Sequence, residues 1–92
     1  MAIEVRIPTI LRTHTGGEKA VPGAGGTLGE LLDDLEARHP GLRERLVDDQ
    51  GLRRFVNLYR NDEDVRFTGG LDTPLDDGDT VTVLPAVAGG GR

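Results

Sequence analysis

The sequence predicts an α+β fold in which a mixed sheet wraps around one main helix. Apolar and polar residues alternate near both ends of the chain, as half-buried strands require. A leucine stripe at helical spacing lies behind a capping signal between residues 27 and 39. The element order is ββ, α, ββ, β, two hairpin-like blocks flanking a single helix. Ninety-two residues allow one small domain with a modest core, expected over residues 1–85 with a Gly-rich tail over 86–92.

The first strand is expected over residues 2–8, where Ile3, Val5 and Ile7 alternate with Glu4 and Arg6 before Pro8 ends it. The Gly pair of "RTHTGGE" marks a turn into a second strand around residues 18–21, and "PGAGG" follows as a loop. Thr27 and Glu30 have capping-box spacing, so a helix starts at Leu28. Leu28, Leu31, Leu32 and Leu35 form its buried stripe, while Glu30, Asp33, Asp34 and Glu36 face water. Arg38 and His39 suit the negative end of the helix dipole, and Pro40 blocks continuation. Leu42 and Leu46 suggest one further helical turn before a "DDQG" loop.

In "RFVNLYRNDEDVRF" a strand places Val56 and Leu58 on one face and Phe55, Asn57 and Tyr59 on the other. A turn at residues 61–63 leads into a short strand over 64–67. "TVTVLP" is the last strand, with Val81 and Val83 inward. The terminal strands, residues 2–8 and 79–85, pair most naturally at the centre of the sheet.

Charge and composition exclude several functions. Sixteen acidic residues outnumber eleven basic ones for a net charge of −5, which disfavours a nucleic-acid partner. Lys19 is the one lysine, leaving little amine chemistry, and the absence of cysteine removes disulfides, thiolate nucleophiles and Cys-based zinc sites. "MAIEVRIPT" lacks the apolar run of a signal peptide or membrane span, so a cytoplasmic location is expected. His14 and His39 lie in separate segments and read as structural or solvated, with no metal site expected. "NDEDVR" lacks the calcium-loop spacing and its closing bidentate Glu. "GAGGTLG" matches no phosphate-binding fingerprint. Asp76, Asp77 and Asp79 around Gly78 make a turn. With no paired base and nucleophile, no catalytic residue is assigned and the chain is not expected to be an enzyme.

The end, "PAVAGGGR", is the unusual feature. Glycine loses the most freedom on ordering, so three in a row at a terminus suit a segment that is reachable and not packed. The alternative is simple fraying. An apolar strand running directly into Gly89 and Gly90 gives the shape needed to thread a narrow enzymic channel.

"LDDGDTVTVLPAVAGG" resembles the ubiquitin-like sulfur carriers of the ThiS and MoaD type, with their G-D-x-V turn and P-x-x-x-G-G end. "IPTILR", "RFVNLYRNDEDVRF" and "LPAVAGG" are similar to stretches of the actinobacterial sulfur carriers of cysteine biosynthesis, and the resemblance covers residues 3–90. It implies a β-grasp fold. It also implies that the Gly90 carboxylate is adenylated by an E1-like adenylyltransferase/sulfurtransferase with ATP and Mg, then converted by sulfide to a thiocarboxylate. No bound cofactor is implied for the carrier itself. Val87, Ala88, Gly89 and Gly90 would thread the partner's active site, and an apolar patch on the sheet would dock the head.

Gly91 and Arg92 depart from the family pattern. Either a peptidase removes both, or they were added to the natural end, or Arg92 alone is trimmed; Gly90 is favoured as the working terminus. By the resemblance the trimming enzyme is a JAMM-type zinc metallopeptidase. The acceptor is a PLP-dependent O-phosphoserine sulfhydrylase or, for sulfur-containing natural products, a thiazole-synthase-like enzyme. The competing functions are a protein modifier joined to lysines through isopeptide bonds and a non-catalytic interaction module.

Overall fold

The computed structural model describes residues 2–53 and 56–85. Five strands form the main sheet: β1 (Ile3–Arg6), β2 (Ala20–Gly23), β5 (Val56–Arg60), β6 (Glu63–Asp64) and β7 (Thr80–Pro85), ordered β2-β1-β7-β5-β6. The first and last strands do meet at the centre, running parallel with Val5 opposite Val81 and Arg6 opposite Thr82. The remaining pairings are antiparallel, so the sheet is mixed. A second, two-stranded sheet joins β3 (Val47–Asp48) to β4 (Gly51–Leu52).

The period-2 pattern sets which face is buried. Ile3, Val5, Leu58, Val81 and Val83 turn inward and meet Leu28, Leu31, Leu32 and Leu35 of helix α1 (Leu28–Arg38). Leu42 and Leu46 of the short helix α2 (Leu42–Leu46) close the same core, as their spacing predicted. Thr27 caps α1, its Oγ1 accepting from the Glu30 N–H at 3.2 Å. The Glu30 carboxylate reaches back one residue further than a standard capping box, accepting from the Gly26 N–H at 2.8 Å.

Four expectations need correction. The Gly pair does make the expected turn, with Gly16 at φ 67°, but residues Thr9–Thr15 before it are a 3-10 helix that was not expected, and β2 begins two residues later than expected and takes in Pro22 and Gly23. Residues Val65–Phe67 are a 3-10 turn and not a strand, because Asp64 accepts from the Arg66 N–H at 2.9 Å and Val65 turns into the core. "DDQG" turns as expected at Asp49–Gln50, but its ends, Asp48 and Gly51, belong to the β3–β4 hairpin, with Gly51 at φ 111° and the Gln50 N–H donating to Asp48 Oδ1 at 2.8 Å.

The fourth concerns the solvent face of α1, where Asp34 and Glu36 are half-buried. Asp34 Oδ2 accepts from the Ala24 N–H at 2.9 Å and pairs with Arg38 at 3.0 Å. The Glu36 carboxylate accepts from the N–H groups of Gly41 (3.0 Å) and Arg43 (3.0 Å), tying the end of α1 to the start of α2. Those bonds, Gly41 first, hold its pKa below the usual glutamate range.

Candidate functional site: the strand that leads to the C-terminus

Strand β7 is built from β-branched residues that suit a pleated surface, and its place between β1 and β5 gives it hydrogen-bonded neighbours on both sides. Its start is anchored by a polar knot. The Asp79 carboxylate accepts from Arg60 Nε at 2.7 Å, from Asn61 Nδ2 at 3.2 Å and from the Asp76 N–H at 2.8 Å. Asn61 sits in the left-handed region at φ 55°, and its Oδ1 accepts from the Thr80 N–H at 3.1 Å. The Asp76 N–H bond, followed by the Arg60 guanidinium, lowers the pKa of Asp79, and Asp79 in turn raises that of Arg60.

The far end of β7 is where the chain runs on toward its terminus. Pro85 pairs with Val56, the first residue of β5. The Arg66 guanidinium holds this corner: Nη2 donates to the carbonyls of Val56 (2.6 Å) and Arg53 (2.8 Å), and Nη1 to Asn57 Oδ1 (2.7 Å). On the other flank an open groove over β1, reaching from the start of β2 to β7, is lined by Glu4, Pro8, Arg12, Lys19, Thr82 and Leu84 among others.

The sequence singled out Val87, Ala88, Gly89 and Gly90, with Gly91 and Arg92 beyond; all six lie outside the described residues, as does Phe55. His14 stands beside Gly41, its Nδ1 3.3 Å from where a Cβ at that glycine would lie, and His39 ends α1. Among the described residues no group of three His, Cys, Asp or Glu side chains could hold a metal ion. The glycines before α1 have a packing reason: a Cβ at Gly25 would stand 2.6 Å from the Leu31 nitrogen. Asp76, Asp77 and Asp79 do form a turn, with Asp77 Oδ1 accepting from the Ala2 N–H at 2.6 Å. The involvement of Asp79 with Arg60, nineteen residues away, has no sequence signature.

The family model described as the ThiS family matches residues 5–90. The chain belongs to the ThiS family. This ThiS-family chain is 60% identical over 93 aligned positions to the sulfur carrier protein CysO of Mycobacterium tuberculosis, covering 98% of the chain and 100% of that protein. It matches a chain in the crystal structure of the Amycolatopsis orientalis BexX/CysO complex with a TM-score of 0.92 and 61% identity, covering 96% of this chain and 99% of that one. It is also 45% identical over 64 residues to small archaeal modifier protein 3 of Haloferax volcanii, spanning 70% of each. The fold is therefore the ubiquitin-like β-grasp, and the role of this ThiS-family member is that of a sulfur carrier. No helix among the described residues is long and apolar enough to cross a membrane.

Proposed function

We propose that this chain carries sulfur as a thiocarboxylate on Gly90, after removal of Gly91 and Arg92. The observation that carries this reading is the placement of β7. A strand paired with β1 over Thr80–Thr82 and with β5 over Val81–Pro85 ends five residues before Gly90. At about 3.3–3.6 Å per extended residue, that segment reaches on the order of 17 Å, enough to bring the carboxylate into a partner's active site while the head stays outside.

In this reading an E1-like partner supplies ATP and Mg. The Gly90 carboxylate attacks the α-phosphate and pyrophosphate leaves. Sulfide then attacks the acyl carbon, AMP leaves with the C–O electron pair, and the product is a thiocarboxylate. Val87 and Ala88 offer small grips to the channel, and Gly89 keeps Cβ atoms away from the reacting carbon. The chain is a co-substrate of its partners and performs no catalysis itself, acting in the cytoplasm where ATP is supplied. The sulfur passes to a PLP-dependent enzyme acting on O-phosphoserine, or to a thiazole-synthase-like acceptor. The CysO of the Amycolatopsis complex is paired with BexX, which favours an acceptor of the BexX kind. A JAMM-type metallopeptidase removes Gly-Arg.

The test is intact mass spectrometry of the chain ending at Gly90 after incubation with the activating enzyme of the same cell, ATP, Mg and sulfide. A gain equal to one oxygen-to-sulfur exchange is expected; an unchanged mass refutes the reading. The identity to a small archaeal modifier protein favours one second reading, isopeptide attachment to lysines. Carrier adducts on other proteins in an ATP-supplied lysate would support it.

A further inference from the structure

Three large apolar side chains are exposed among the described residues: Phe67 at 87%, Ile10 at 68% and Leu84 at 46%. All three belong to the end of the sheet from which the terminus departs. Leu84 is the penultimate residue of β7. Ile10 lies between Pro8 and Arg12, both of which line the groove beside Leu84. Phe67 follows Arg66, whose guanidinium is fixed to Val56, the residue opposite Pro85.

Phe67 is presented by a rigid support. The Asp64 carboxylate caps its turn, Val65 anchors the turn in the core, and the Thr68 N–H closes it on the Val65 carbonyl at 3.1 Å. An aromatic ring held in place before binding loses little freedom when it is buried by a partner.

Charge marks the same end. The chain is net acidic, and Arg6, Arg38, Arg43 and Arg60 all pair with carboxylates within 4.0 Å. Among the described residues no carboxylate lies that close to Arg12, Lys19, Arg45, Arg53 or Arg66, and the one carboxylate lining the groove, Glu4, is paired with Arg6. Arg12 and Lys19 stand on one flank of the departing strand and Arg66 on the other. Arg66 spends its side-chain donors on neutral oxygens, and the nearby Asp64 carboxylate accepts from its backbone N–H and not from its guanidinium.

We propose that Ile10, Leu84 and Phe67, with Arg12, Lys19 and Arg66, form one collar around the tail exit. Its partner is a protein whose tail-accepting channel opens in a mouth rimmed by carboxylates, with an apolar recess that takes Phe67. Charge complementarity sets the sign of that mouth, and the short reach of the tail places the mouth against the collar whenever Gly90 is in an active site. This rests on the sulfur-carrier reading above.

The probe is the activating enzyme of the same cell, titrated calorimetrically with the chain ending at Gly90 at about 0.05 M and about 0.5 M salt, a range over which screening becomes strong. Phe67→Ala is expected to weaken binding by about tenfold or more at both salt levels, as loss of an interface anchor does, with an unchanged melting temperature. Lys19→Glu is expected to weaken binding several-fold at low salt and little at high salt. Asp62→Lys, which changes net charge by the same amount in the opposite sense at the opposite end of the sheet, is expected to stay within about twofold of the natural chain. Binding by Phe67→Ala within about twofold of the natural chain, with loading intact, overturns the collar alone. Binding that weakens with Lys19→Glu and strengthens by the same factor with Asp62→Lys, tracking net charge alone, also overturns it. A natural chain that is neither bound nor loaded overturns the sulfur-carrier reading and the collar together.

Discussion

Replacing Asp79 with alanine should cost far more stability than replacing its neighbour Asp76. The Asp79 side chain is 12% exposed and receives bonds from Arg60, Asn61 and the Asp76 N–H, whereas the Asp76 side chain is 82% exposed and meets Arg60 at its rim. Hydrogen bonds to charged groups contribute about 1.5–3 kcal/mol each, and water replaces part of what is lost; Asp79→Ala should therefore cost about 3 kcal/mol. For a domain of this size that lowers the melting temperature by about 12–24 °C. Asp76→Ala should cost about 0.5 kcal/mol or less, as exposed ion pairs do. Urea titrations followed by circular dichroism measure both, and a double-mutant cycle with Arg60→Met isolates the Arg60–Asp79 coupling.

The pH dependence has a definite sign. The folded pKa of Asp79 lies below its ordinary value of 3.8, so its contribution is complete above that value and is lost as pH falls through the lower, folded one. The difference between the natural chain and Asp79→Ala should accordingly shrink on acidification. A cost below about 1 kcal/mol, or one equal to that of Asp76→Ala, would refute the view that this knot secures β7.

Replacing Gly90 with leucine should abolish sulfur loading by mass spectrometry while the melting curve stays unchanged. Gly25→Ala should cost about 1–3 kcal/mol in a urea titration, because its Cβ would stand 2.6 Å from the Leu31 backbone nitrogen, and backbone cannot step aside as a side chain can. Glu36→Ala should release the α1–α2 junction, seen as faster amide exchange at Gly41 and Arg43. Glu36 has a folded pKa below its ordinary 4.5, so this protection should also fade in the natural chain as pH drops through the lowered value.

Helix α1 was legible because its signals are local: Thr27 before the first turn, Leu28, Leu31, Leu32 and Leu35 on one stripe, Pro40 after the last. The inward sets Ile3 with Val5 and Val81 with Val83 were equally plain, since strand periodicity is carried by neighbouring residues. The β3–β4 hairpin was not, because two residues per strand contain no period to detect. Alternation also misplaced residues 65–67, where the Asp64 side chain competes for the backbone and bends it into a 3-10 turn. In the candidate site, the glycines at 89 and 90 announced themselves by composition, whereas Arg66 and Asp79 act through partners far along the chain and leave no spacing to read.

The central position of β7 bears on what happens when a partner pulls. A partner that grips the terminus and moves applies force along the strand axis, and the backbone bonds to β1 and β5 lie across that axis on both sides. The load is then a shear borne by many bonds at once. A terminus attached to a two-residue edge strand such as β6 would instead peel from one neighbour, bond by bond. The head can thus serve as a handle, surviving repeated insertion and extraction of its tail without being drawn into the channel after it.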